Sequence, residues 1–174
     1  MLKRTVLSVL VLASSAISFH TFAADGTVNF TGNITNAGCS VASDSLSKTV
    51  ALGNVSSSAL TTAGNTAGAH LFTINLTDCP EDPSAHVRFD GTTNASNSSI
   101  LALTDAGQEG TATNVGVALY ESDSTTPIII GVPSSTINMT EGSNSLNFYA
   151  KYYATGAATA GTANSTATFT VVYQ

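Results

Sequence analysis

Along Thr27–Thr35 the side chains alternate without a break. Val28, Phe30, Gly32 and Ile34 point one way, and Thr27, Asn29, Thr31, Asn33 and Thr35 point the other. A period of two predicts a strand. One face of it is apolar and is notched at Gly32, where a glycine within a strand marks close approach of another backbone. The same period recurs downstream. His70–Thr77 sets Phe72, Ile74 and Leu76 on one face, and Thr113–Glu121 does so with Val115, Val117 and Leu119. Ser145–Tyr153 presents Leu146, Phe148 and Ala150, and Ala167–Gln174 presents Phe169, Val171 and Tyr173. Thr49–Gly53, His86–Asp90 and Ile100–Leu103 are shorter apolar stretches, and Pro127–Val132 lies between prolines and suits an edge strand. Ser56–Gly68, Pro80–Ser84 and Ala154–Ala163 read as loops and turns. About eight strands spaced by turn signals, with no amphipathic helix, predict an all-β sandwich.

Two placements fit the N-terminal strand. It is either the first strand of the chain's own sandwich or a strand given to a partner. Its position bears on the choice, because Met1–Ala23 has the form of a secretory signal. Lys3 and Arg4 start it, Val6–Ala13 is an apolar run too short to span a bilayer, and Thr21-Phe22-Ala23 suits the peptidase. Ser14-Ser15-Ala16 offers an earlier cut. A cut after Ala23 leaves the alternating strand almost at the mature N-terminus.

Composition supports a single sandwich. Of the 174 residues only 9% are charged, and there is no tryptophan. Loss of Lys3 and Arg4 leaves three basic against eleven acidic residues, a net charge of −8. Such a balance argues against nucleic acid as a partner. In an exported chain the two cysteines, Cys39 and Cys79, read as a disulfide. The bridge would close a loop of roughly forty residues, worth on the order of 4 kcal/mol in the chain-entropy picture.

Candidate chemistry is thin. His70 and His86 have no triad or metal context, and no Gly-x-Ser-x-Gly, His-Glu-x-x-His or phosphate-binding glycine loop occurs. Asp78, Glu81, Asp82 and Asp90 cluster around a turn. A calcium site and a solvated turn both fit them, and the turn is the simpler reading.

With these residues in place, the chain resembles the subunits of chaperone–usher fimbriae, type 1 pilus subunits in particular. The resemblance rests on a signal peptide followed by an alternating segment with Gly32 at its centre and then Cys39. It rests further on Asn75-Leu76-Thr77-Asp78-Cys79, on the penultimate Tyr173, and on Gly161 upstream of it. Ala112–Val117 and Tyr153–Thr159 are also similar to that family.

This resemblance implies an incomplete immunoglobulin-like sandwich that lacks its last strand and is completed by a donor strand from a neighbouring subunit. Residues 1–23 would be the signal, 24–38 the donor extension, and 39–174 the pilin domain. Val28, Phe30, Gly32 and Ile34 would be the donor residues. Gly161, Phe169, Val171, Tyr173 and Gln174 would form the groove and chaperone side, with the C-terminal carboxylate held by basic chaperone residues. The implied partners are a periplasmic fimbrial chaperone, an outer-membrane usher and neighbouring pilus subunits. No cofactor and no enzymatic activity are implied, and the location is an extracellular fimbrium reached through the periplasm. One departure is that only Ala24–Gly26 would precede the alternating residues. Such a short lead is commoner in adaptor subunits, whereas the Ala/Gly/Thr-rich C-terminal half is closer to a major subunit. Outside the family reading, a monomeric secreted binding module, for instance carbohydrate-binding, also fits a lone sandwich.

Overall fold

The two longest strands carry the clearest alternation. In the computed structural model, which describes residues 28–31 and 38–174, β2 spans Thr66–Cys79 and β9 spans Gly142–Ala154. They pair antiparallel, with Phe72 opposite Phe148 and Ile74 opposite Leu146. Facing apolar pairs of this kind are what stabilise a sheet. Around them lie β1 (Ser40–Val41), β4 (Thr93–Asn94), β5 (Asn97–Leu101), β6 (Val115–Tyr120) and β7 (Pro127–Ile128). They form a seven-stranded sheet in the order β1-β2-β9-β6-β5-β4, with β7 also on β6. The second sheet has three strands. β3 (Ser84–Asp90) lies between β10 (Thr168–Tyr173) and β8 (Ile137–Asn138).

The sheets meet at three phenylalanines. Phe72 and Phe148 come from the large sheet and Phe89 from the small one, with centroid separations of 5.2–5.9 Å. Phe89 meets each of the other two edge to face, the preferred geometry for an aromatic pair. Leu76, Ala85, Val87 and Phe148 are 0% exposed and mark the centre of the core. The result is the immunoglobulin-like sandwich that the resemblance implies.

Several elements differ from the sequence reading. β2 starts at Thr66, four residues before His70, because β9 is long enough to pair Thr66 and Ala67 with Tyr153 and Tyr152. The register slips between Ala67 and His70, where Gly68 has φ +66°, and a bulge of this kind hides the period from the sequence. The loop expected over Ser56–Gly68 is therefore shorter, and it contains a 3₁₀ turn at Ser57–Ala59. β6 is buried on both faces instead of one. Its second face is covered because Gly116 and Ala118 leave room for Ile100, while Tyr120 lies beneath Lys151, whose Nζ is 4.4 Å from the ring centroid. Only Pro127–Ile128 of the proline-bounded stretch is a strand. β4 and β8 carry two residues each and had no legible period.

At the N-terminus, Val28–Thr31 is not in a strand. The signal region Met1–Ala23 and the expected donor residues Gly32 and Ile34 lie outside the described residues.

Cys39 and Cys79 form a disulfide, with Cα atoms 4.2 Å apart. It joins the chain just before β1 to the end of β2, where Ser40 pairs with Thr77 and Val41 with Leu76. Two ladder pairs alone hold such a short strand weakly, so the covalent tie defines this corner. Replacing both cysteines (Cys39→Ser with Cys79→Ser) should cost about 4 kcal/mol for the 40-residue separation. The cost is read as a lower denaturant midpoint than that of the oxidised chain, and an unchanged midpoint would show that the corner holds without the bond.

Candidate functional site

A complete sandwich buries the inward face of each strand on both sides. β10 does not achieve this. It pairs with β3 through all six residues, from Thr168–Asp90 to Tyr173–Ala85. The inward residues of β3, Ala85, Val87 and Phe89, are buried, whereas Phe169, Val171 and Tyr173 of β10 are only half-buried. The difference arises because β3 is flanked on both sides while β10 has no second strand neighbour among the described residues. Its outer edge therefore keeps an unpaired row of backbone N–H and C=O groups beside exposed apolar core.

The facing border comes from the chain between β1 and β2. Val41, Val50, Leu52 and Val55 are half-buried against the same core cluster as Phe169, Val171 and Tyr173. Residues 49–55 join no ladder. Lys48 Nζ donates to the Thr73 carbonyl at 2.6 Å and ties the start of this segment to β2. Half-buried Phe72 packs against the same cluster and belongs to the phenylalanine trio. Sequence reasoning did not assign the Val50–Val55 border, although the spacing of Val50 and Leu52 was a weak signal for it.

Beyond the start of β10 there is a cleft of about 460 Å³. Gly53 and Val55 lie on one side of it, with Ala158, Gly161 and Ala163 among the residues on the other. Gly161 is in the loop before β10, not on the strand. Its φ is outside the left-handed region, so the need for glycine is steric. A Cβ there would lie 2.4 Å from Ala112 N and 2.6 Å from the Thr111 carbonyl carbon. The approach is this close because the backbones bond across it. Ala112 N–H donates to Thr162 O at 3.0 Å, and Thr162 N–H donates to Gly110 O at 2.8 Å. Asn114, at φ 56°, extends the clamp by donating from Nδ2 to Ala157 O at 2.9 Å.

At the far end of β10, the Tyr173 hydroxyl donates to the Cys39 carbonyl at 3.0 Å. Burial raises the pKa of this hydroxyl, which keeps it a donor. The Gln174 N–H donates to Ser84 O at 3.0 Å, and its side-chain amide meets His86 Nε2. The four expected groove residues at the C-terminus thus lie along one line, with Phe169, Val171 and Tyr173 facing the core and Gln174 following the strand. The expected donor residues are different. Val28 and Phe30 are 74% and 93% exposed, and Gly32 and Ile34 lie outside the described residues.

Comparison with known proteins adds three results. A family model described as fimbrial protein matches residues 28–174. Among curated relatives, the type-1 fimbrial protein C chain of Escherichia coli is 42% identical over 151 residues, covering 86% of this chain and 83% of its own length. The type-1 fimbrial protein A chain of Escherichia coli K12 is 41% identical over 174 residues, covering 97% and 95%. Among solved structures, an antigen and type I fimbria protein of Burkholderia pseudomallei superposes with a TM-score of 0.61 at 36% identity, over 80% of this chain and 91% of that one.

The contacts of Gly161 are with backbone, which cannot rotate away. Gly161→Ala should therefore destabilise the sandwich by about 1–3 kcal/mol, with a corresponding fall in melting temperature. A melting temperature equal to that of the parent would show that the loop yields freely.

Proposed function

The chain belongs to the fimbrial protein family, and on that premise we propose that it joins its neighbours by donating one strand and accepting another. It is a structural subunit of a fimbrium, and pilus subunits polymerise with neighbouring subunits. The finer reading concerns how. The groove beside β10 accepts the apolar alternating segment of another subunit, and this chain's own Val28, Phe30, Gly32 and Ile34 enter the groove of the next. Strand addition of this kind combines ladder hydrogen bonds with side-chain pockets. Residues 24–38 act as the extension, residues 39–174 as the pilin domain, and Met1–Ala23 as the export signal.

The observation that carries this reading is the half-open core along β10. An unpaired strand edge over exposed apolar side chains is an aggregation template until something covers it. A strand laid there would satisfy the edge and shield Phe169, Val171 and Tyr173. Burial of Val28, Phe30 and Ile34 would contribute roughly 1.5–3 kcal/mol each. The alternation of Val28, Phe30 and Ile34 about Gly32 supports the same reading from the donor side.

The same open edge calls for a cover before assembly. A periplasmic fimbrial chaperone serves as the first occupant and an outer-membrane usher as the site of exchange. The role is mechanical, with no catalytic step and no cofactor. The finished location is the extracellular fimbrium.

On this reading Gly32 would be where the donor face comes closest to the groove floor, so a large side chain there should clash. Gly32→Leu should leave capture by a chaperone intact and block incorporation behind a preceding subunit. Co-purification with the chaperone measures the first effect and subunit content of sheared fibres the second. Normal incorporation of Gly32→Leu would remove this segment from the joint.

A further inference from the structure

The root of the N-terminal segment is gripped from two sides. Cys39 is tied to the end of β2 by the disulfide. On the other side, Tyr173 donates from its hydroxyl to the Cys39 carbonyl at 3.0 Å. The Tyr173 ring also lies flush against the Gly38 backbone, since a Cβ on Gly38 would stand 2.6 Å from Cε2 and 2.8 Å from Cδ2. Gly38 therefore serves close approach to an aromatic face. Tyr173 is at the same time a half-buried wall residue of the open groove, on one face with Phe169 and Val171. One side chain thus touches both the place where a segment would arrive and the place from which this chain's own segment leaves.

We propose that Tyr173 is a positioning residue that fixes where the N-terminal segment leaves the sandwich, so that the angle and stiffness between successive subunits depend on it. This rests on the strand-donation reading for its consequence, though not for the clamp itself. A backbone root held only by the disulfide could still rotate about the bonds flanking Cys39. The hydroxyl bond and the ring on Gly38 remove that freedom. Because a seated donor strand would pack against the other side of the same ring, it would press Tyr173 onto the root and stiffen the exit at the next joint.

Two measurements test the proposal separately. The first is amide hydrogen exchange at Gly38–Ser40 in the full subunit, with and without a synthetic peptide of the Val28–Ile34 sequence. Tyr173→Phe removes the hydroxyl and keeps the ring, and it should speed exchange there by about five-fold or more, the equivalent of one lost hydrogen bond. Gly38→Ala should do the same by forcing the backbone off the ring. The peptide should slow exchange at these amides in the parent and do so less in Tyr173→Phe.

The second measurement is the bending persistence length of individual fibres by electron microscopy, whatever their number. It should fall at least two-fold for either variant. Exchange rates equal to those of the parent would overturn the clamp, and equal persistence lengths would overturn its consequence. If neither variant enters fibres, exchange alone decides. Failure of the parent to take up the peptide would count against strand donation, while the peptide-free exchange comparison would still decide the clamp.

Discussion

The rest of this structure depends on one imbalance, a last strand that has a single neighbour among the described residues and lies over a core that needs two. β3, between β10 and β8, buries Ala85, Val87 and Phe89. β10 has the same alternation and the same sheet, yet leaves Phe169, Val171 and Tyr173 half-covered. Nothing in the side chains of β10 explains that difference. What differs is that, among the described residues, no strand pairs with its outer edge. A polypeptide with this arrangement is short of both hydrogen-bond partners and apolar cover along a single line, and one extended segment with alternating apolar residues would supply both.

An open groove keeps its shape only if its borders are held from behind. The disulfide fixes one corner, and Lys48 ties the 49–55 border to β2. The loop before β10 is fastened to residues 110–114 by main-chain bonds and by Asn114. Tyr173 closes the end at Cys39. These ties use backbone groups heavily, which suits a chain with few charges. They are also local to the rim. The groove is thereby preorganised, so an incoming strand would lose ordering entropy on its own account but would not have to order the acceptor as well.

How far the sequence was legible follows the same physics. Where a strand has one wet and one dry face, as in β9 and β10, the period of two identified both the strand and its inward residues. Where both faces are covered, as in β6, period told only half the story, because small residues such as Gly116 and Ala118 carry no sign of what packs on them. The start of β2 was hidden by the bulge near Gly68. β4 and β8 depend on their partners alone. For the site, Phe169, Val171 and Tyr173 were readable from alternation, while the resemblance singled out Gly161 without giving its reason, which is a backbone crossing. The Val50–Val55 border and the grip of Tyr173 on Gly38 were not readable, because each is a contact between segments far apart in sequence.

The chemistry of the groove bears on what can discriminate between occupants. The side chains that its borders turn toward the core, Val41, Val50, Leu52, Val55, Phe169, Val171 and Tyr173, are aliphatic or aromatic. Attraction by charge, which would be screened by salt, therefore has little purchase along this line. On the strand-donation reading, selection would come from size and spacing, through the sequence order of Val28, Phe30, Gly32 and Ile34. The backbone ladder contributes affinity that is blind to sequence. A groove of this kind suits successive occupation by different strands of one shape class, because the ladder accepts any extended chain and the side-chain spacing ranks them. It also makes geometry the main variable at each joint. If a donor strand seats there as proposed, the orientation of the next subunit would follow from how rigidly the chain is held at Gly38 and Cys39, beside the disulfide and the ring of Tyr173.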